Sequence, residues 1–244
     1  MRKLLLAILC FFLSTVQAQT SKDVDLLVAA MMHKTPVIAD LKELTDKIGG
    51  RITGSNANDA SVIWAVEKFK TAGLKVKTEA FTMPRLWLEN NTTAQITGEG
   101  IKYSPGVVAQ PFTPGTNNAM VAMIVDVNHG SAEDFARQPV NDKWVIVETA
   151  VLDDEVGLAG LFKEYNEAPP IEQLAIKHQV KGLIYMSSRP KNLLYRHGPT
   201  QGMDNTLPII LMEREAGKRT KRLLAAGNAL AFPPYNRCHR RQII

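Results

Sequence analysis

Cysteine is almost missing from this chain: Cys10 and Cys238 are the only two in 244 residues. Cys10 falls in a stretch that reads as a removable leader, so the mature chain would keep only Cys238 and form no internal disulfide. No uninterrupted apolar run reaches the roughly 20 residues a membrane helix needs. GxSxG, HExxH, phosphate-loop and dinucleotide motifs are all absent, which removes the usual sequence signs of a serine hydrolase, a thermolysin-like protease and a nucleotide-binding enzyme. Repeats and low-complexity tracts are missing too. Charge of either sign is hardly in excess. Without Arg2 and Lys3, 27 basic residues face 24 acidic ones, and Arg237, Arg240 and Arg241 near the C-terminus carry that difference. A nucleic-acid footprint needs basic residues clustered on a folded face, and the chain offers none.

Its apolar and charged fractions, 45% and 22%, are those of a globular protein. Residues 1–18 read as a signal peptide: Arg2 and Lys3, an apolar run from Leu4 to Leu13, then Val16-Gln17-Ala18 ahead of the cut. The expected location is periplasmic or secreted. A lipid-modified start does not fit, because Cys10 sits inside the apolar run behind Ile8 and Leu9.

Past the leader, Asp23 to Met32 and Val37 to Ile48 predict two helices parted at Pro36. RITGS (Arg51 to Ser55) predicts a turn, with Asn56 or Asn58 capping the next helix. That helix carries Val62, Val66, Phe69 and Ala72 on one stripe and stops at Gly73, and Leu74 to Phe81 alternates like a strand. From Met83 the texture turns to short strands and Gly/Pro turns: Thr92 to Thr97, Val107-Val108, Met120 to Val127 and Trp144 to Glu148. Pro169-Pro170 predicts a helix start, with Ile171, Leu174, Ala175 and His178 on one face. Leu183 to Met186 and Leu207 to Met212 predict buried strands around a polar loop, Ser187 to Thr206. Glu213 and Glu215 then begin a helix whose later positions are Lys218, Arg219, Lys221 and Arg222, the charge order a helix dipole favours.

Few residues stand out as sites. Asp153-Asp154-Glu155 lacks the alternating oxygen ligands of a calcium loop and reads as a solvated loop. Cys238-His239 supplies at most two of the four ligands of a zinc site. His178 reads as a packed histidine, and Met120, Met123, Met186 and Met212 read as core filler. Asn90 and Asn91 begin overlapping glycosylation sequons. Arg196 and His197, in the polar loop, are the best candidates for a contact, since a loop on a rigid scaffold carries recognition.

The order of these pieces resembles a known family. The leader, GGRITGS (Gly49 to Ser55), the helix with Trp64 and Phe69, GLKVKTEAF and MPRLW (Gly73 to Trp87) look like the N-terminal part of di-zinc exopeptidases of the carboxypeptidase Q and aminopeptidase type. Asp134-Phe135, KWVIVE (Lys143 to Glu148), QLAIKHQVKGLIYM (Gln173 to Met186) and LPIILMERE (Leu207 to Glu215) resemble the protease-associated domain inserted in those enzymes. Asp142-Lys143 and Lys181-Gly182 depart from the family's usual Gly-Lys and Gly-Ala. The resemblance covers about Val24 to Leu230 and implies two zinc ions held by a His-x-Asp pair, a bridging Asp and a Glu-Glu pair, with Glu as general base. None of the five histidines begins His-x-Asp, and Glu-Glu does not occur. From Phe232 the text changes abruptly to PPYNRCHRRQII, as a shifted reading frame would produce.

The expected fold class is therefore α/β plus β-rich: residues 19–87 as the opening of a zinc exopeptidase domain, 88–230 as a protease-associated domain of mixed β with flanking helices, and 231–244 as an atypical tail. The expected function is the N-terminal portion of an exported zinc metallopeptidase that is catalytically incomplete as written. Two zinc ions belong to the whole family and none to this chain. Its partners would be peptides or a protein met through the protease-associated domain. The competing expectation is a stand-alone protease-associated binding module without catalysis.

Overall fold

The computed structural model describes residues 22–33, 35–83, 86–89, 91–116, 121–152, 157–195, 206–232 and 238–239; for 157–161 and 238–239 it describes the backbone alone. The chain separates into two compact units, Met1–Phe81 and Thr82–Ile244.

The first unit is helical. Helix α1 spans residues 22–32, α2 spans Val37–Glu43 and runs on into a π turn, Leu44–Ile48, and α3 spans Asn56–Thr71. Ser55, one residue ahead of the expected caps, closes the start of α3 by accepting the Asn58 N–H at 3.1 Å. Gly73, at φ +79°, ends it in the left-handed region a side chain disfavours. Lys68 on α3 reaches back to Asp40 at 2.8 Å and Glu43 at 3.0 Å on α2. None of the described residues of this unit is buried. The expected stripe of α3 lies open, with Val62 44% and Phe69 53% exposed, and Leu74–Phe81 forms no strand. Alternation specifies which face a strand would bury, but a ladder needs a neighbour to accept its hydrogen bonds.

The second unit is built on an eight-stranded, curled mixed sheet in the order β3-β2-β9-β5-β6-β7-β8-β4. These strands are β2 (Ile96–Gly98), β3 (Ile101–Tyr103), β4 (Val107–Ala109), β5 (Ala122–Asp126), β6 (Trp144–Val147), β7 (Gly182–Met186), β8 (Ile209–Met212) and β9 (Ala231–Phe232). β5 to β8 run parallel and the others pair antiparallel. A separate two-stranded ladder joins β1 (Leu88–Glu89) to β10 (Cys238–His239). Parallel neighbours need crossovers, and α4 (Ala132–Ala136) and α5 (Gly157–Lys177) supply two of them.

The region expected to be mixed β with flanking helices is a mixed α/β layer structure, and its central strands are apolar on both faces because both faces are covered. On one face Ile124, Trp144, Ile146, Ile184, Met186, Ile210 and Met212 pack with Ala216 of α6 (Arg214–Ala225). On the other, Val125, Val145, Val147, Leu183, Tyr185, Ile209 and Leu211 pack with Phe135 of α4 and Ile171 and Ala175 of α5. Phe232, read from sequence as the start of the tail, is fully buried with its ring 4.9 Å from that of Trp144. Met186 and Met212 are core residues, Met123 is 40% exposed, and Met120 lies outside the described residues.

The helix expected to begin at Pro169 begins instead at Gly157, with both prolines inside it. Proline disfavours a helix interior, but the buried side of α5 continues past the pair through Ile171 and Ala175, and that packing outweighs the local penalty. His178, just past its end, is half-buried and stacks on Phe135 with ring centroids 5.5 Å apart.

Candidate functional site

In open parallel sheets the loops beyond the carboxyl ends of the strands are where side chains converge. Here that edge holds Asp126 at the end of β5, Glu148 and Thr149 after β6, Ser187 and Ser188 after β7, and Glu213 with Arg214 after β8. Glu148 is the junction. Its carboxylate meets Lys218, Lys221 at 2.9 Å and Arg214 at 3.7 Å, all on α6, and Lys221 also meets Asp126 at 3.2 Å. Burial opposes ionisation of Glu148, but hydrogen bonds from Lys218 and Lys221 outweigh it and hold the carboxyl at about 2. The buried Arg214 guanidinium donates to the carbonyls of Ser187 at 2.8 Å and Thr149 at 3.0 Å. These bonds fasten α6 across the ends of β6 and β7.

The same edge braces the start of the polar loop. The hydroxyls of Ser187 and Ser188 both donate to the Tyr195 carbonyl, at 3.0 and 2.9 Å, and Tyr195 N–H returns a bond to Ser187 Oγ at 3.1 Å. Glu215, in the first turn of α6, accepts from the backbone N–H groups of Lys191 at 2.7 Å and Asn192 at 3.1 Å. Lys191 and Asn192 sit at φ +66° and +57°, a conformation these bonds hold in place. Arg196 and His197 follow directly and lie outside the described residues, as do Asp153, Asp154, Glu155 and Asn90. Asn91 is exposed, and the backbone of Cys238 and His239 pairs with β1.

Beside Glu148, on the α5 side of the sheet, lies a groove of about 550 Å³ lined by His129, Gly130, Val147, Glu148, Lys163, Asn166, Glu167 and Pro170 among others. His129 bonds through Nδ1 to the Glu148 carbonyl at 2.9 Å. Gly130, at φ +79°, lets its turn approach α5 so closely that a Cβ there would lie 3.1 Å from Ile171.

Sequence reasoning missed the Glu148 junction. A signal existed in the spacing of Arg214, Lys218 and Lys221, which puts three cations on one helix face. Nothing in the spacing named Glu148 as their partner, because the two segments meet only through the sheet.

The donors of this edge do not suit a zinc ion. Among the described residues no group of three or more His, Cys, Asp and Glu side chains could hold a metal. The convergent carboxylates, Asp126 and Glu148, are already paired with lysines, and His129 and His178 face a carbonyl and a ring.

No family model and no curated protein matches the sequence. Solved structures do share the fold. A peptidase M28 precursor from Shewanella amazonensis SB2B superimposes with a TM-score of 0.69 at 16% identity, over 91% of this chain and 51% of that one. BSAP, a zinc aminopeptidase from Bacillus subtilis, gives 0.59 at 16% identity, over 82% of this chain and 42% of its own. The chain therefore has a zinc exopeptidase-like fold, spanning about half the length of the M28 peptidases it resembles.

Proposed function

We propose that this chain is the N-terminal and protease-associated portion of an exported zinc-dependent exopeptidase of the aminopeptidase and carboxypeptidase Q type, and that the described residues carry no catalytic centre of their own. In this reading residues 1–18 direct export, 19–87 open the peptidase domain and 88–230 form the protease-associated domain. The observation that carries it is the agreement of two independent likenesses: the motif order from GGRITGS to LPIILMERE, and the fold shared with M28 peptidases. The whole enzyme would hydrolyse peptides from one end with two zinc ions, and this portion would shape access or meet a partner.

The test takes the purified chain, its zinc content by mass spectrometry and its hydrolysis of aminoacyl-p-nitroanilides with and without chelator. Stoichiometric zinc, or activity that a chelator abolishes, would overturn the incomplete reading. The family assignment has its own test: the DNA after the Leu230 codon should encode, in some frame, an HxDxxxxxxGAxDN-like segment.

One observation favours the second reading, a stand-alone binding module. Thr82–Ile244 has a full core on both faces of its sheet, while no described residue of the first unit is buried. If Thr82–Ile244 unfolds cooperatively by itself and binds peptide as the whole chain does, the module reading gains.

A further inference from the structure

We infer that Leu74–Phe81 is an interface through which two copies of this chain pair as antiparallel strands. This goes beyond the metallopeptidase reading and does not depend on it.

The segment is open along its length. The Leu74 N–H bonds to the Phe69 carbonyl at 3.0 Å at the end of α3, and after it residues 75–81 have no backbone hydrogen bond among the described residues. All but the half-buried Val76 are exposed, Leu74 by 56% and Phe81 by 76%. Free N–H and C=O groups beside exposed apolar side chains are a template for pairing with another strand. In an extended run Leu74, Val76, Thr78 and Ala80 share one face, and Lys75, Lys77, Glu79 and Phe81 share the other.

The charges say which strand fits. Lys77 and Glu79 meet within one copy at 2.8 Å, and both side chains stay largely in solvent. Turned about a two-fold axis at Thr78, a second copy sets its Glu79 opposite Lys77 and its Lys77 opposite Glu79, with Val76 opposite Ala80 on the apolar face. Lys75 then falls opposite Phe81, a pairing of cation and ring. A slip of two residues either way faces Lys77 with Lys77 or Glu79 with Glu79, and a slip of one turns the charged face onto the apolar one. A parallel pair in register would set like charge on like. The segment is thus complementary to itself in an antiparallel register centred on Thr78.

The test follows the full chain, with excess chelator, by sedimentation velocity from about 1 μM to about 1 mM. The mass should rise toward that of two copies, and Leu74–Phe81, open to thermolysin in dilute chain, should become protected over the same range. Lys77→Glu and Glu79→Lys should each weaken self-association about tenfold or more, because each sets two like-charge pairs where opposite charges faced. Mixing the two variants should restore a 1:1 pair, since a doubly acidic strand then faces a doubly basic one; the recovery also shows that both variants are folded. With Cys10→Ser and Cys238→Ser in place, Thr78→Cys should form a disulfide between copies on oxidation, and Val76→Cys should do so about tenfold more slowly. A chain that stays single at about 1 mM, variants that associate as well as the wild type, a mixture that does not pair, or equal crosslinking at 76 and 78 would each overturn the proposal.

Discussion

Replacing Glu148 by Gln keeps the shape of the side chain and removes the charge on which three cations of α6 converge. Folding holds the carboxyl at about 2 against an ordinary 4.5, and each tenfold change in proton affinity corresponds to about 1.4 kcal/mol. The full difference would be about 3 kcal/mol, but two features reduce it. Lys218 is 46% exposed and can return to water. Lys221 keeps Asp126 at 3.2 Å. A loss of about 1.5–2 kcal/mol at pH 7 is expected, with part of it from repulsion among Arg214, Lys218 and Lys221.

Because the folded carboxyl titrates below the unfolded one, the unfolded chain binds more protons between pH 4.5 and about 2. The stabilisation is fully present above that window and disappears as pH falls through it. Urea unfolding followed by fluorescence of the buried Trp144 should show wild type and variant converging as pH is lowered from 5 toward 2. A gap that stays constant with pH, or one below about 0.5 kcal/mol at neutral pH, would refute the role given to Glu148.

Other substitutions probe the core, the loop brace and the open first unit. Gly182→Ala would place a Cβ 2.1 Å from the Trp144 ring and should destabilise the second unit by about 3 kcal/mol, read by urea unfolding, because overpacked cores respond with strain. Glu215→Ala releases the N–H groups of Lys191 and Asn192; amide exchange at these two positions should rise about fivefold or more, consistent with losing about 1 kcal/mol of local hydrogen bonding. Ser131→Ala removes the capping box of α4, where Ser131 and Asp134 cap each other's N–H groups, and should lower stability by about 1 kcal/mol in the same assay. Limited thermolysin digestion should cut first within Leu74–Phe81, which is largely exposed and pairs with no strand, and leave a fragment close to Thr82–Ile244. Early cleavage between β5 and β8 would contradict the core described for that unit.

Much of the second unit was legible because its strands are short, apolar and bounded by turn residues. Leu183–Met186 and Leu207–Met212 were found to within a few residues, and the charge order of Glu215 and Arg222 oriented α6. Periodicity also marked the faces of α2 and α3. What it could not tell is whether anything covers them, since a stripe such as Val62 and Phe69 reads the same whether packed or open. The start of α5 was misread for a related reason: Pro169 is a good first residue of a helix by local rules, and only the packing of Ile171 and Ala175 shows that the helix continues through it.

The sequence by itself determined the local elements and, through the order of its motifs, the likeness to zinc exopeptidases, because turns, caps and alternation act over a few residues. Only the tertiary structure decided that four strands run parallel and are buried on both faces, and that Glu148 gathers cations from a helix some seventy positions away. It also decided that His129, Asn166 and Glu167 share one groove. Those facts depend on which segments the sheet brings together, and no spacing along the chain encodes the distance between a strand end and a helix that returns to it through a third element.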